Sequence, residues 1–311
     1  LCHNNITVRG EKMKPRLNVQ QAYAVRDTIA QDIYEGLFLF LVDWINKKID
    51  QNYLEDKFIG ILDIFGFENM HVNRLEQLCI NYTNECLQNQ LNKLTFDELL
   101  KEYQEENIDI PDITCPDNQS MIDLISSGQN SIFNLLTDEC HLPKGNDKQL
   151  VNKFIRSHTD NDPGYCKGHP SEKNVCIKHY AGDVVYSFDG FCARNSKKRN
   201  SGLSELILTS GLEILTLIQK STIRSKSKST VVSEFDKQLR NLLSIISKTE
   251  QHFIRCIKPN DISKPGHISQ KKLLSQLRAG GVVEAIKISR MGYPVRTTQQ
   301  EFVRRFMLLA P

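Results

Sequence analysis

The chain has 311 residues, of which 40% are hydrophobic and 25% are charged, and its formal net charge is +3. This length and composition suit one large globular domain or two small ones, and the charge is too small to indicate nucleic-acid binding by itself. The nine cysteines include no C-x-x-C pair, which argues against a disulfide framework or a zinc ribbon and favours a reducing compartment.

The first hundred residues predict a loop, two helices and a buried strand. Residues 1–16 are polar and lightly basic, as in a surface loop. From Ala22 to Ile49 apolar residues recur every three to four positions, which predicts a long amphipathic helix that Asn18 could cap. Residues 58–64 form a short Ile-rich run typical of a buried strand. After a glycine turn, a second long helix is predicted from about 72 to 106.

The rest of the chain predicts short elements joined by loops. The predicted helices are at residues 120–136, 147–158, 203–220, 235–246 and 271–290. Residues 175–180 and 183–188 predict a hairpin around Ala181-Gly182, whereas 161–174 predict a loop. Residues 252–258 predict a second short strand, and the serine-rich run at 221–230 predicts a flexible basic loop. The last predicted helix has Gly280-Gly281 in its middle.

The turn after the first predicted strand has features of a phosphate site. A strand that ends in Asp63 places a carboxylate at a sheet edge, where it could hold Mg²⁺ through water. The backbone of Gly66 could approach a phosphate closely, and Glu68 could pair with an arginine or polarise water. The D-x-x-G spacing is a weak signal, however, and leaves open a strand edge without a ligand.

Four stretches resemble myosins in order and spacing. Residues 63–68 (DIFGFE) are similar to myosin switch II, D-I-x-G-F-E, and residues 76–85 (EQLCINYTNE) to the start of the relay helix. Residues 252–260 (HFIRCIKPN) resemble a strand of the same family, and 276–294 resemble the segment that leads to the converter. The resemblance covers essentially the whole chain and suggests a divergent, unconventional class.

The resemblance implies a partial myosin motor domain. This is an α/β, predominantly helical fold of the P-loop NTPase type, here with two strands of the central sheet and the lower actin-binding subdomain. The implied segments are an actin-facing loop (1–16), a long helix and sheet strand (17–64), switch II and the relay helix (65–106), the lower actin-binding subdomain (107–220), a basic surface loop (221–230), a helix and sheet strand (231–270), and a helix leading to the converter (271–311).

By matched position, the resemblance also implies functional residues. In myosins switch II closes on the γ-phosphate of ATP, so Asp63 would lie near Mg²⁺, Gly66 would bind the γ-phosphate, and Glu68 would bridge to an arginine of switch I. The residues implied in force transmission are Asn81, Tyr82, Glu85, Gly280, Gly281 and Gly292. The residues implied in actin binding are Glu11, Arg224, Lys226, Lys228, Leu239, Leu242, Leu243, Ile246 and Lys248.

The chain departs from a complete myosin motor in what it lacks. It contains no G-x-x-x-x-G-K-[ST] phosphate loop and no N-x-N-S-S-R-F switch I motif. In a myosin both would precede Leu1, and most of the converter and the light-chain helix would follow Pro311. Because the chain begins without Met and ends in an apolar stretch, we expect both ends to be cuts. By itself, the chain is not expected to hydrolyse ATP at a useful rate.

Three functional interpretations follow. The first is a cytoplasmic, cytoskeletal motor, an actin-activated Mg-ATPase that uses ATP and Mg²⁺ when intact. Its partners would be actin filaments and, downstream, light chains or calmodulin, with no nucleic acid and no membrane span. The alternatives are an ATP-independent actin-binding module and a pseudomotor scaffold. The presence of Asp63, Gly66 and Glu68 together favours the motor.

Overall fold

The computed structural model describes most of the chain, and the chain separates into two compact units. The first unit comprises residues 1–62 and 196–229, and the second comprises 63–195 and 230–311. The described residues are 3, 6–8, 11–13, 15–49, 58–109, 115, 117–158, 162–169, 171, 173–196, 211–222, 230–293 and 295–309.

The first unit is built on one long helix. Helix α1 (Val19–Ile49) begins after Asn18, whose Oδ1 accepts a hydrogen bond from the Gln21 backbone N–H at 2.8 Å. Asn18 therefore caps the helix, as the sequence predicts. Helix α7 (Glu213–Thr222), the seventh α-helix in the part of the chain that the structure describes, packs against α1. Within the predicted surface loop, strands β1 (Ile6–Val8) and β2 (Glu11–Met13) form an antiparallel hairpin.

The second unit is mostly helical, and helix α2 (Leu75–Glu105) is its longest element. Its 31 residues confirm the predicted long helix and span about 46 Å at 1.5 Å per residue. The other helices are α3 (Gln119–Ile122), a π-helix (Asp123–Ser127), α4 (Ile132–His141), α5 (Asp147–Ser157), α6 (Phe191–Asn195), α8 (Val231–Ile246), α9 (Gln270–Ala279), α10 (Val282–Met291), α11 (Gln299–Phe306) and a 3₁₀ turn (Met307–Leu309).

A three-stranded antiparallel sheet lies beside these helices. Strands β4 (Asn174–His179) and β5 (Gly182–Ser187) confirm the predicted hairpin, with His179 opposite Gly182 at its turn. Strand β3 (Tyr165–His169) pairs with β4 inside the segment predicted as a loop. That prediction was wrong because Cys, Lys, Gly and His give a weak strand signal, and pairing with β4 overrides it.

The core of the second unit forms where α2, the π-helix, α4, α5, α8 and the sheet meet. Apolar side chains from all of these elements are fully or almost fully buried there, among them Leu78, Ile125, Leu136, Phe154 and Val175. The cluster packs the first half of α2 against the sheet, which fixes the position of the residues that precede α2.

Two predicted sheet strands are corrected by the structure. Residues 58–64 and 252–258 have no regular secondary structure, and the described residues provide no neighbouring strand for either. A strand is stable only when its backbone pairs with another strand, so an apolar run alone does not produce one. Consequently apolar side chains remain exposed; Ile59 and Ile61 are 97% and 95% accessible.

The predicted helix over residues 271–290 is also corrected, because it is two helices. Helix α9 ends at Ala279 and α10 begins at Val282. Gly281 between them has a φ of +70°, in the left-handed region that glycine adopts without strain. Similarly, the predicted helix over 120–136 is interrupted at Gly128, and α4 begins after Ser131, which caps it.

Candidate functional site

The switch loop, residues 63–68, is held by side chains from the first turns of α2. Asn81 makes a two-way contact with Glu68: its Oδ1 accepts from the Glu68 backbone N–H at 2.8 Å, and its Nδ2 donates to the Glu68 carbonyl at 2.8 Å. One turn further on, Asn84 Nδ2 donates to the Phe65 carbonyl at 3.0 Å. The loop is therefore attached to α2 through its backbone, and these bonds do not engage the Asp63 side chain.

The predicted ligand-binding residues of the switch loop are accessible. Asp63 and Gly66 are exposed, and no atom lies within 4 Å of where a Cβ on Gly66 would be. Glu68 is half-buried, and its Oε2 accepts a hydrogen bond from Gln77 Nε2 at 3.3 Å. An exposed carboxylate and an open glycine backbone suit a magnesium–phosphate ligand.

A buried polar chain extends from the switch loop to the β4–β5 hairpin. Asn81 Nδ2 donates to Tyr186 Oη at 2.7 Å, and Tyr186 Oη lies 2.8 Å from His179 Nε2. The opposite ring nitrogen, His179 Nδ1, is 2.9 Å from Glu85 Oε1 on α2. All of these residues are buried. Burial raises the pKa of Tyr186, so its hydroxyl keeps its proton at ordinary pH.

Glu85 is the point where several elements converge. Its Oε1 also accepts a hydrogen bond from the Tyr180 backbone N–H at 3.1 Å, and its other carboxylate oxygen accepts one from Asn118. Phe67 of the switch loop packs edge-on against the rings of His179 and Tyr180, at 5.3 and 5.7 Å between centroids. A buried carboxylate is stable only with several donors, so Glu85 joins α2, the hairpin and residue 118.

The same hairpin contacts the break between α9 and α10. Tyr180 Oη donates to the carbonyl of Ala279, the last residue of α9, at 2.7 Å. At Gly281 a Cβ would lie only 1.8 Å from Gln88 Oε1 on α2. The glycine therefore allows both the left-handed turn and the close approach of α2.

The far half of α2 contacts the other end of α10. The Tyr293 backbone N–H donates to Tyr103 Oη at 2.7 Å, and a Cβ at Gly292 would lie 2.0 Å from the same oxygen. Arg296 also forms an ion pair with Glu102, with 2.6 Å between Nη1 and Oε2. Helix α2 thus connects the switch loop to both ends of α10.

The predicted force-transmission residues therefore lie on α2 or at its contacts. Asn81 and Glu85 hold the switch loop and the hairpin, and Gly281 and Gly292 approach α2 closely. Tyr82 is buried and donates a hydrogen bond to Asp236 of α8. Gly280 has right-handed helical geometry as the C-cap of α9.

The predicted actin-binding residues do not form one described surface. Along α8, Leu239 is 5% exposed and belongs to the core, whereas Leu242, Leu243 and Ile246 are half-buried. Lys248 is exposed just beyond the helix. Leu239 faces the core because α8 uses its apolar stripe for packing, so its side chain supports the helix and does not reach a partner directly.

Four of the residues predicted to bind actin lie partly or wholly outside the part of the chain that the structure describes. Arg224, Lys226 and Lys228 lie outside the described residues, and of Glu11 only the backbone, in β2, is described.

Sequence reasoning missed three residues of the polar chain: Asn84, His179 and Tyr186. The sequence contains a usable signal, because Asn81, Asn84, Gln88 and Asn92 recur at helical spacing on α2. A stripe of amides between apolar residues indicates a face that packs against other polar groups. His179 continues the inward-facing series of Val175 and Ile177 in β4, and a buried histidine at such a position needs partners.

The described part of the chain has neither a metal cluster nor a transmembrane helix. No group of three or more His, Cys, Asp or Glu side chains could hold a metal ion there. A magnesium ion at Asp63 would therefore depend on water and on the ligand's own oxygens, as is usual for Mg²⁺. None of the described helices is long and apolar enough to cross a membrane.

The known proteins that are similar to this chain match it over essentially its whole length, as the sequence resemblance does. The family model of the myosin head, the motor domain, matches residues 1–311. The chain is 36% identical over 318 residues to the myosin-I heavy chain of Dictyostelium discoideum, and 36% identical over 315 residues to Myosin-14 of Arabidopsis thaliana. It is also 36% identical over 326 residues to Myosin-51 of Schizosaccharomyces pombe.

These alignments cover nearly all of this chain but little of the relatives. They include 99%, 100% and 99% of the chain, and 13%, 21% and 22% of the Dictyostelium, Arabidopsis and Schizosaccharomyces proteins respectively. A family match over the full chain, together with relatives at this identity, establishes its family. The chain belongs to the myosin head family, as part of a motor domain.

Proposed function

We propose that this chain is the part of an actin-based motor that senses bound nucleotide and grips actin filaments. Membership of the myosin head family supports the motor function. The observation that carries the finer assignment is the two-way hydrogen bonding between Asn81 and the Glu68 backbone, at 2.8 Å in each direction. Because these bonds attach the switch loop to a 31-residue helix, movement of the loop on binding a ligand is passed to α2.

Within the switch loop, each predicted residue has a distinct role. The carboxylate of Asp63 holds Mg²⁺ through water, and the Gly66 backbone N–H binds the terminal phosphate of the nucleotide. When bound, ATP would supply the transferable phosphoryl group, and Mg²⁺ would supply part of the positive charge that neutralises the phosphate oxygens. Glu68 pairs with an arginine from the rest of the motor domain and so orders the closed loop.

A movement of the switch loop is passed along α2 to the helices α9 and α10. The first turns of α2 hold the switch loop, and Glu85 connects it to the hairpin whose Tyr180 contacts the end of α9. Its last turns hold Tyr293 at the end of α10. A stiff helix with contacts at both ends suits a part that converts a small change at one end into a displacement at the other.

Actin contacts come from the exposed segments. The positive charges of Arg224, Lys226 and Lys228 steer the motor toward the acidic surface of the filament. Leu242, Leu243, Ile246 and Lys248 lie half-buried or exposed at the end of α8, the helix that follows these charges in sequence, and Leu239 anchors that helix in the core. Glu11 adds a fixed negative charge. In the intact protein we also propose light chains or calmodulin as partners and the actin cytoskeleton as the location.

The substitution Glu68→Ala tests this proposal in the intact motor. We expect ATP hydrolysis to fall by about 100-fold or more, in the range of losing a group that acts on the reacting centre. Binding to actin without nucleotide should remain, because Glu68 does not contact the segments proposed for actin. Steady-state phosphate release and co-sedimentation with filaments measure the two properties.

A matched control is Glu76→Ala, which removes a glutamate from the first turn of α2. Glu76 is exposed and pairs with Arg194, away from the proposed ligand. Its hydrolysis rate should match that of the unaltered motor. Normal hydrolysis by Glu68→Ala would contradict the assignment of the switch loop.

A further inference from the structure

A second polar cluster surrounds Tyr82, the residue that follows Asn81 on α2. The Tyr82 hydroxyl is 2.6 Å from Asp236 Oδ1 on α8, to which it donates, and it accepts a hydrogen bond from Ser126 Oγ at 2.8 Å. Tyr82 is 1% exposed, and its ring packs edge-on against Phe133. One hydroxyl group thus joins three elements: α2, α8 and the π-helix.

Arg240 closes this cluster into a ring. Its Nε donates to Asp236 Oδ2 at 2.8 Å, and its Nη2 donates to Ser127 Oγ at 2.9 Å and Ser126 Oγ at 3.3 Å. We call Tyr82, Ser126, Asp236 and Arg240 the Tyr82 junction. Because Asp236 accepts from both a tyrosine and an arginine, its orientation is fixed from two sides.

The hydrogen bonds of the Tyr82 junction that involve Asp236 or Arg240 are of the strong, charge-assisted type. The 2.6 Å separation between Tyr82 Oη and Asp236 Oδ1 is typical of a hydroxyl that donates to a carboxylate. Burial raises the pKa of Tyr82, so it remains a donor at any ordinary pH. The hydrogen bond to Asp236 raises the pKa of Arg240. Asp236 itself is mostly shielded, with 21% of its side chain exposed.

The Tyr82 junction contacts α2 next to the residue that holds the switch loop. Asn81 holds the Glu68 backbone, and Tyr82 holds Asp236. The side chains of adjacent residues point about 100° apart around a helix. A single turn of α2 therefore binds the switch loop through Asn81 on one face and α8 through Tyr82 on another. Asp236 lies in the second turn of α8, which begins at the Thr230 cap, immediately after the basic loop of residues 221–230.

The π-helix adds a second link to the exposed surface. Ser126 and Ser127 are in its last turn, and the helix ends at Gly128. A π-helix forms hydrogen bonds between residues five apart instead of four, and it is often found at functional sites. The π-helix belongs to the lower actin-binding subdomain that the myosin resemblance implies for residues 107–220, and α8 contains several of the residues that it implies in actin binding. The Tyr82 junction therefore joins two proposed actin-facing segments to the turn that holds the switch loop.

We propose that Asp236 is a positioning residue that, through Tyr82, couples contact of α8 with actin to the position of the switch loop. The inference rests on the proposed motor function and adds a route for activation by actin. A displacement of α8 moves the Asp236 carboxylate, to which Tyr82 is hydrogen-bonded. The turn of α2 that contains Tyr82 and Asn81 then moves with this carboxylate. The hydrogen bonds between Asn81 and Glu68 then carry this displacement into the loop.

The test uses the intact motor and compares ATP turnover with and without saturating actin filaments. Tyr82→Phe removes only the hydroxyl, and Asp236→Asn keeps the size of the side chain but removes its charge. We expect each to lower the activation ratio by about three- to tenfold, in the range for residues that link two sites. Turnover without actin should stay within about twofold of the unaltered motor, because neither residue touches the nucleotide.

Matched controls separate coupling from stability. Lys237→Gln alters a charge at the exposed position next to Asp236 and should leave the activation ratio at saturating actin unchanged. The double variant Tyr82→Phe with Asp236→Asn should lower the ratio by less than the product of the two single effects, since both substitutions act on the hydrogen bond between Tyr82 and Asp236. If Tyr82→Phe does not fold, Arg240→Gln loosens the same carboxylate from a half-exposed position and should lower the ratio in the same direction.

The possible outcomes lead to different conclusions. Activation ratios at the unaltered value in all three junction variants overturn the inference alone. A parallel fall in turnover with and without actin, accompanied by a lower unfolding temperature, also overturns it, because the junction would then be only structural. An unaltered motor that actin does not activate overturns the proposed function and this inference with it.

Discussion

A single backbone torsion separates α9 from α10. Gly281 has a φ of +70° and lies against the buried Gln88 side chain, whereas its neighbour Gly280 has right-handed helical geometry with a φ of −82°. The two glycines are therefore adjacent but not equivalent. Only Gly281 requires the absence of a side chain both for its conformation and for its contact.

This difference predicts unequal effects of alanine at the two positions. Gly281→Ala should lower the free energy of unfolding of the intact motor domain by at least about 1–2 kcal/mol, from left-handed strain alone. The Cβ would also lie 1.8 Å from Gln88 Oε1, which adds to the loss. Gly280→Ala should change stability by less than about 1 kcal/mol, because alanine favours helical geometry.

Urea unfolding of the two variants, monitored by circular dichroism, measures this difference. An equal loss of stability in Gly280→Ala and Gly281→Ala would show that the break does not depend on the torsion of residue 281.

At the scale of elements, α2 and α10 are connected through one tyrosine. Tyr103 is 1% exposed and accepts a hydrogen bond from the Tyr293 backbone N–H at 2.7 Å, and the rings of these two residues pack edge-on. The buried partner in this hydrogen bond is the Tyr103 hydroxyl, and an intramolecular hydrogen bond of this kind contributes modestly to stability, so the contact supports the docking of α10 on the far half of α2.

We therefore expect Tyr103→Phe to weaken this docking. The substitution keeps the ring but removes the acceptor, and it should cost about 0.5–1.5 kcal/mol in the free energy of unfolding. Hydrogen exchange of the Tyr293 amide should become faster. Tyr34→Phe on α1 is the control, because Tyr34 is 73% exposed; it should change stability by less than about 0.5 kcal/mol. An unchanged exchange rate at Tyr293 would contradict the prediction.

The elements also show what the sequence can predict. Helices α1 and α2 and the β4–β5 hairpin follow from local patterns: helical periodicity, the Asn18 cap and the Ala181-Gly182 turn. The strands predicted at residues 58–64 and 252–258 depend on partners, which local sequence does not specify. The same holds for the buried polar chain, since His179 and Tyr186 acquire their roles only through contacts with α2.

Sequence motifs identify the candidate residues of the switch loop, but they do not identify most of the residues that hold this loop and α2 in place. Asp63, Gly66 and Glu68 were identified from the motif they form together, and Asn81 and Glu85 from the relay-helix resemblance. Asn84, His179 and Asp236 were not identified as functional, although each bonds to a residue of this region or of α2. These partners lie far away in sequence, so no local motif contains both members of a pair.

At the scale of the whole molecule, the formal net charge of +3 is small, so charge-dependent attraction must come from local patches. The basic run at Arg224, Lys226 and Lys228 is the patch proposed for actin. Exposed charges are screened beyond about 10 Å at 0.1 M salt. Association of the intact motor with filaments should therefore slow markedly as salt rises.

Changing these three residues to glutamine tests the patch. We expect the association rate with filaments at low salt to fall by about tenfold, within the range of electrostatic steering. The rate should also become nearly independent of salt. Stopped-flow light scattering between low and physiological ionic strength measures both effects. Equal salt dependence in the glutamine variant and the unaltered motor would contradict the role of this loop.

We expect the long-range contacts of α2 to form late when this part of the chain folds, because their partners lie far away in sequence. Asn81 and Tyr186 are 105 residues apart in sequence, Glu85 and Tyr180 are 95 apart, and Tyr82 and Asp236 are 154 apart. Closing such long loops is slow. The amide and carboxylate groups of α2 stay hydrated until the hairpin and α8 arrive, since they have no partners to be buried with. We therefore expect α2 to complete its contacts late, so that a newly made chain does not fix the loop of residues 63–68 before the distant segments have assembled.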